Sequence, residues 1–263
     1  MPFIIFAILE SLALILVFLS PRKPFDIVFA PPIRAFWGER FLHYPANFLL
    51  LSRLAGISRM FLAVIYSSLL TGAAVSMVSS YYTKKQAKLK DAFILALKKY
   101  ASLFIIVLLF ILIYYFSIKA INSGALKYFA KHQGRLLFLS PKLWISVILP
   151  VFNFIFAILI QSIFTYAIPA LIRDKVNLFK ALAKSLRVFG RYFLQTIVLV
   201  GLPLLIYIPI LILNYNTAFL INRLFPEFIL IVLFSGIIVS SLIIDPLITV
   251  STAVFYLLSK EQK

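Results

Sequence analysis

The sequence contains no cysteine and only two histidines, His43 and His132. Without thiols there is no disulfide, no thiolate nucleophile and no cysteine-ligated zinc or iron–sulfur centre. Two histidines in separate segments make no paired-histidine metal motif. Acidic residues are also scarce: eight Asp and Glu stand against 26 Lys and Arg. No two of the eight share helical spacing, so a carboxylate pair for acid–base chemistry would have to assemble from different helices. G-x-S-x-G, the Walker A pattern and G-x-G-x-x-G are all missing. Glu39, Arg40 and His43 are too few to suggest a lipid-headgroup enzyme. The expectation is a non-enzymatic protein without a cofactor or a metal.

What is present is apolar. Of 263 residues, 63% are hydrophobic and 13% charged, and the mean hydropathy is +1.06. Soluble domains are about half apolar and roughly a quarter charged, so a fold of this composition would have almost nothing polar to place outside. Lipid is its natural solvent. The net charge of +18 comes without a recognisable nucleic-acid module. It points to anionic lipid headgroups rather than to nucleic acid.

Hydrophobic runs predict an all-α polytopic bundle of about six spans, near 3–20, 57–82, 100–118, 143–172, 192–213 and 228–258. The first run has no basic n-region or small-x-small cleavage site and is read as a retained membrane helix. Pro203 and Pro209 predict kinks in the fifth span, and Asp245-Pro246 interrupts the sixth. Gly72, Ala73 and Ala74 allow close packing in the second. Residues 32–54 mix aromatics with Arg and His and read as interfacial or re-entrant. The chain thus divides into 1–56, a first helix plus an aromatic segment, and 57–263, the bundle.

Two connectors are basic amphipathic helices. Leu89, Ala92, Phe93, Ala96, Leu97 and Tyr100 lie on one helical face, with Lys84, Lys85, Lys88, Lys90, Lys98 and Lys99 around it. Leu178, Leu182, Leu186, Phe189 and Phe193 form a second stripe, beside a cationic row of Lys180, Lys184, Arg187 and Arg191. Lys84, Lys88, Lys180, Lys184, Arg187 and Arg191 are therefore candidate contacts to lipid or to a cytoplasmic partner. The two connectors align without gaps, pairing Leu89 with Leu178, Ala92 with Ala181, Leu97 with Leu186 and Phe104 with Phe193. Either the unit is duplicated in parallel, over 57–121, 143–213 and a truncated 228–263, or any two basic amphipathic helices look this alike. Just over half of the Lys and Arg fall on the face of these connectors and the C-terminal tail. Their density beside span ends predicts that both termini are cytoplasmic. The near-neutral 214–227 loop fits the outside; the basic 22–59 and 119–142 segments fit it poorly.

Polar residues inside apolar runs are the remaining site candidates, because charge in lipid is costly. Glu10 sits in the first span, with Arg22 or a neighbouring helix as its expected partner. Asp245 sits in the sixth, where it binds a proton or cation, pairs with an arginine, or caps the helix begun by Pro246. Asn153, Gln161 and Gln195 are expected to form interhelical hydrogen bonds.

The run Ile168-Pro169-Ala170-Leu171-Ile172-Arg173-Asp174, the Ala181–Ser185 helix and the closing Pro246 with Thr252 to Tyr256 resemble a group of prokaryotic membrane proteins. That group is related to the membrane domain attached to some glycerophosphoryl diester phosphodiesterases. The resemblance covers about 57–260 and is one of pattern. It implies a six-helix bundle in a prokaryotic cytoplasmic membrane and carries over no catalytic residue; the soluble phosphodiesterase part is not present in these residues. The functional expectation is a scaffold or accessory subunit of a membrane complex. The alternative is a small permease, or the membrane subunit of an ABC-type transporter whose helices at 84–99 and 174–189 meet a cytosolic ATPase.

Overall fold

The computed structural model of the chain describes residues 1–83, 88–131 and 148–261. Lys84, Lys85, His132 and the start of the predicted fourth span lie outside the described residues. Fourteen α-helices are described, in chain order: α1 (Pro2–Leu19), α2 (Asp26–Phe36), α3 (Asn47–Leu62), α4 (Ser68–Tyr82), α5 (Leu89–Lys98), α6 (Tyr100–Lys131), α7 (Leu149–Phe164), α8 (Ala167–Arg173), α9 (Leu178–Arg191), α10 (Phe193–Leu205), α11 (Ile208–Tyr215), α12 (Thr217–Arg223), α13 (Phe228–Ile237) and α14 (Asp245–Glu261). No strand occurs among the described residues. The protein is an all-α multi-pass membrane bundle.

Five stretches are long and apolar enough to cross a membrane: Pro2–Leu19, Asn47–Tyr82, Tyr100–Ala125, Leu149–Arg173 and Phe228–Glu261. Only 11% of the third is buried inside the protein; Ile105, Leu112, Ile113 and Phe116 face outward. In water such a face would be an aggregation site, whereas in a bilayer it faces its own solvent.

The predicted fifth span is broken. Pro203 and Pro209 each lack an N–H, and the helix stops between α10 and α11 at Ile206 and Tyr207. The two halves still run antiparallel along the last long helix. Val200 packs on Ile244 and Ile248, Tyr207 on Val239, and Ile210 on Val232. Together α10 and α11 number 21 helical residues, which rise about 30 Å, the thickness of a hydrocarbon core.

Two crossings contain a π-helical segment, Ala63–Ser67 between α3 and α4 and Ile238–Ile244 between α13 and α14. Tyr100 at the start of α6 donates its hydroxyl to the Ile65 carbonyl (3.0 Å). The second π segment absorbs Pro246, so Asp245-Pro246 leaves the helix unbroken. Hydropathy predicts that the second span begins near 57. The helix begins at Asn47, so the last third of the supposed interfacial segment belongs to that crossing, which brings Arg53 into it and puts Arg59 well inside rather than at its start.

The main core joins α4, α7–α8 and α14 to the two basic connectors. Ala73, Ala92, Ala96, Leu103, Tyr166, Ala170, Leu171, Ala181 and Tyr256 are its buried members. Small residues dominate because lipid offers no hydrophobic drive between helices, leaving close van der Waals contact to hold them. A second core packs α1 against α3, with Leu14 on Phe48 and Leu51. This antiparallel pairing brings the start of α1 to the same face as α5, α9 and the end of α14.

Gly72 is the tightest point. A Cβ there would meet Leu103 Cδ1 at 2.6 Å and the Ala96 Cβ at 3.4 Å, whereas one at Gly201 would meet Ile158 at 3.5 Å, an ordinary contact. Gly72→Ala is expected to lower thermal stability in detergent by about 1–3 kcal/mol through overpacking. Gly201→Ala is expected to be neutral or to add up to about 1 kcal/mol by removing chain entropy. Thermal unfolding of the two variants side by side checks the contrast.

Candidate functional site

Glu10, 3% exposed, sits at mid-span in α1. Its Oε1 lies 2.8 Å from the Arg59 Nε. Its Oε2 accepts a hydrogen bond from the Ser241 hydroxyl. Arg59 in turn donates through Nη2 to Ser240, whose own hydroxyl donates to the Gly236 carbonyl (2.7 Å). A charge in hydrocarbon must be neutralised and its hydrogen-bonding atoms satisfied within the protein. Here α1 supplies the anion, α3 the cation, and the π segment before α14 the hydroxyls. The expected partner Arg22 is elsewhere, its guanidinium 4.3 Å over the Phe18 ring at the far end of α1.

Asp245 opens α14 on the other side of Arg59. It feels the charges of both Arg59 and Glu10, but among the described residues it forms no hydrogen bond and no salt bridge. Its backbone is helical, φ −61° and ψ −43°. It is not the extended N-cap that Asp-Pro suggested, because the helix runs straight through it.

Two cavities meet at Arg59. One, of about 290 Å³, is bordered by Arg59, Asp245, Gln161, Thr249, Thr252, Ser67 and Thr71, with Phe6, Ile106 and Phe110 as apolar wall. The other, of about 530 Å³, is bordered by Glu10, Arg59, Ser52, Ser58, Tyr207 and Asn214. The Arg59 side chain is 35% exposed; that exposure faces these cavities.

The other predicted polar positions divide. Asn153 is buried and donates to Asn122 of α6 (2.9 Å), tying α7 to α6. Gln161 faces the smaller cavity. Gln195 is exposed on α10 and has no interhelical hydrogen bond among the described residues, because that turn of α10 points away from the bundle.

The basic face is organised by a residue the sequence reading passed over. Asp174, directly after α8, has a side chain only 5% exposed. It binds Lys184 of α9 (2.5 Å), Lys260 of α14 and the Tyr256 hydroxyl (2.8 Å). Burial alone would raise this carboxyl; the hydrogen bonds from Lys184, Lys260 and Tyr256 outweigh it and hold the group below its ordinary value. Ser185 adds a hydrogen bond to the Ile163 carbonyl (2.5 Å). At the corner where α9 turns by 99° into α10, Thr196 donates to the Tyr192 carbonyl (2.7 Å) and pairs with the Tyr166 hydroxyl (2.9 Å).

Lys184 is therefore an inward strut, not a free contact. Lys88, Lys180, Arg187 and Arg191 are exposed; Lys84 lies outside the described residues. The predicted apolar stripes hold in part: Ala92, Phe93 and Ala96 of the α5 stripe face the core, as do Leu178 and Leu182 of the α9 stripe, and the far edge of each stripe does not. Ala92, Ala96, Ala181 and Ser185 are buried, while Leu97 and Leu186 are 63% and 54% exposed. Helix docking selects the smallest side chains for the closest contact, and Leu97 and Leu186 are left outside it.

No group of three or more potential metal ligands occurs among the described residues. No known protein family, curated protein or solved structure matches the chain.

Removing one partner of a buried ion pair leaves an uncompensated charge, at a cost of about 3–5 kcal/mol. Arg59→Met is expected to lose most folded protein in detergent. Arg59→Met with Glu10→Gln is expected to recover much of it. Size-exclusion profiles of the single and double variants test this; equal loss in both would show that the pair is not what holds α1 to α3.

Proposed function

We propose that the protein is a non-enzymatic integral membrane subunit, a scaffold or accessory component that receives a partner on its basic face. The carrying observation is the way α9 is held. Asp174, Ser185 and Ala181 hold the helix against the Leu149–Arg173 crossing and, through Asp174, against the last helix, and Lys180, Arg187 and Phe179 are left pointing out. Such a platform suits an acidic partner surface or anionic lipid headgroups. The connector α5 offers Lys88, Lys90 and Lys98 in the same manner. The two connectors start at the aligned Leu89 and Leu178 and both bury the aligned small residues, which supports reading them as copies of one unit. The resemblance to the phosphodiesterase-linked membrane domain agrees with a bundle of this kind and adds no site residue.

The reading places the basic face in the cytoplasm of a prokaryotic cell, with both termini on that side of the cytoplasmic membrane. The positive-inside bias and the shared face of α1's start, α5, α9 and α14's end support it. A second reading, a small permease or the membrane subunit of an ABC-type transporter, is favoured by the two cavities that meet at Arg59.

Charge reversal tests the first reading. With Lys180→Glu and Arg187→Glu together, folded yield should hold, because both side chains are exposed. At least one protein that co-purifies with the wild type from native membranes should be lost. An unchanged set of partners would sink the proposal, and loss of an ATPase in particular would favour the transporter reading.

Orientation is tested on a cysteine-free background. Lys88→Cys and Lys180→Cys are expected to resist an impermeant thiol reagent in intact cells and to react after permeabilisation. Labelling of both in intact cells would reverse the topology.

A further inference from the structure

Two carboxylates and one guanidinium meet at mid-span, and the three do not balance. Arg59 is committed to Glu10 through Nε and to Ser240 through Nη2. Glu10 also accepts a hydrogen bond from Ser241 through Oε2. Asp245 is left with no hydrogen-bond or salt-bridge partner among the described residues, and it borders a cavity of about 290 Å³. With all three groups ionised the cluster carries one net negative charge. An uncompensated charge at this depth costs several kcal/mol, so such clusters acquire a counter-charge or lose their ionisation.

The cavity is suited to hold that counter-charge. Its polar wall is made of oxygen donors: the Asp245 carboxylate, the Gln161 amide and the hydroxyls of Thr249, Thr252, Ser67 and Thr71. Hard monovalent cations take carboxylate, carbonyl and hydroxyl oxygens. The Thr252 hydroxyl spends its proton on the Ile248 carbonyl (2.6 Å), which leaves its lone pairs as acceptors. The volume is several times what one water needs, so a cation can keep part of its hydration. A divalent ion would overshoot the balance by one charge.

Two of the three crossings that supply these oxygens carry a π-helical segment next to the cavity, Ala63–Ser67 and Ile238–Ile244. Single-turn π segments recur at functional sites because they turn side chains and carbonyls out of the regular ladder. The remaining elements around Asp245 bring no competing charge. Among the residues bordering the cavity, α6 contributes only apolar side chains, and α7, α8 and the turn between them contribute Gln161, Thr165 and apolar ones. The charged groups acting on Asp245 are Arg59 from α3 and Glu10 from α1; Tyr207, between α10 and α11, borders the cavity on the far side of Arg59.

We infer that the cavity between α4, α7 and α14 is a binding site for one monovalent alkali cation, held by Asp245 and the oxygens of Gln161, Thr249 and Thr252. Neither reading of the protein's role requires this site.

The experiment uses the purified full chain in detergent at constant ionic strength. Sodium, potassium or choline chloride is titrated while thermal unfolding is followed at pH 8. A saturable upward shift of the melting temperature with sodium or potassium, absent with choline, is expected. Asp245→Asn removes the surplus charge at nearly constant shape. It should melt in choline as high as the wild type does in saturating cation and show no further shift. Thr249→Ala keeps the charge and removes one oxygen, so its shift should need more cation to saturate; it also serves as the readout should Asp245→Asn fold poorly. The assignment is overturned by an equal response to choline, by a cation response that survives in Asp245→Asn, or by an unaltered midpoint in Thr249→Ala. It is overturned equally if lowering the pH stabilises the wild type and no cation does, since the counter-charge is then a proton alone.

Discussion

One guanidinium between two carboxylates, well inside its crossing, constrains most of this bundle. Charge cannot be left in hydrocarbon without a partner, and the partners come from three separate crossings. Glu10 must face α3, Arg59 must face α1, and the π segment before α14 must turn Ser240 and Ser241 toward both. The rotation of each helix about its own axis follows. With those rotations set, the apolar remainder of each helix can pack or face lipid with little preference, because lipid and leucine are nearly equivalent surroundings. The two cavities fit the same account. They lie where polar side chains were turned inward and apolar ones could not fill the space.

The same principle operates on a smaller scale at the basic face. A helix lying along a bundle end has no crossing of its own to hold it in place. Here α9 is tied by a single carboxylate to its own Lys184, to Lys260 at the end of the last helix and to Tyr256 below. The bend at Tyr192 is stiffened by Thr196 and Tyr166, so the helix leaves the surface at a defined angle. One consequence is a sorting of cations: Lys184 and Lys260 neutralise the clamp, while Lys180, Arg187 and Arg191 remain on the outside.

Much of the architecture could be read from the chain, and the misses have a common origin. Long apolar runs announced the crossings, and prolines 203 and 209 announced the broken one. Glu10 and Asp245 stood out because each interrupts such a run. Arg59 does not stand out, since the apolar run begins near it; the helix extends back to Asn47 through polar turns whose outward-facing side hydropathy cannot distinguish. Asp174 looked like any charge after a span, and its partners lie 10 and 86 residues away, beyond any local pattern. Gln195 was expected inside and lies outside, because one polar residue in an apolar run does not reveal which way its turn faces. Periodicity puts Ala92 and Ala96 on the contact face of α5 but also Leu97, and on α9 it follows the leucines to Leu186, whereas close helix contact buries Ala181 and Ser185 and leaves Leu97 and Leu186 outside.

What the sequence determined by itself is therefore the solvent and the class: composition requires lipid, and lipid requires helices whose backbone groups are satisfied within each segment. It also determined which residues would be expensive to place, since a carboxylate in an apolar run is costly wherever the run goes. Which groups would neutralise them was decided only by the tertiary structure. Pairing across the bundle joins residues hundreds of positions apart, as Glu10 with Ser241 shows, and it depends on helix rotations that no local periodicity encodes.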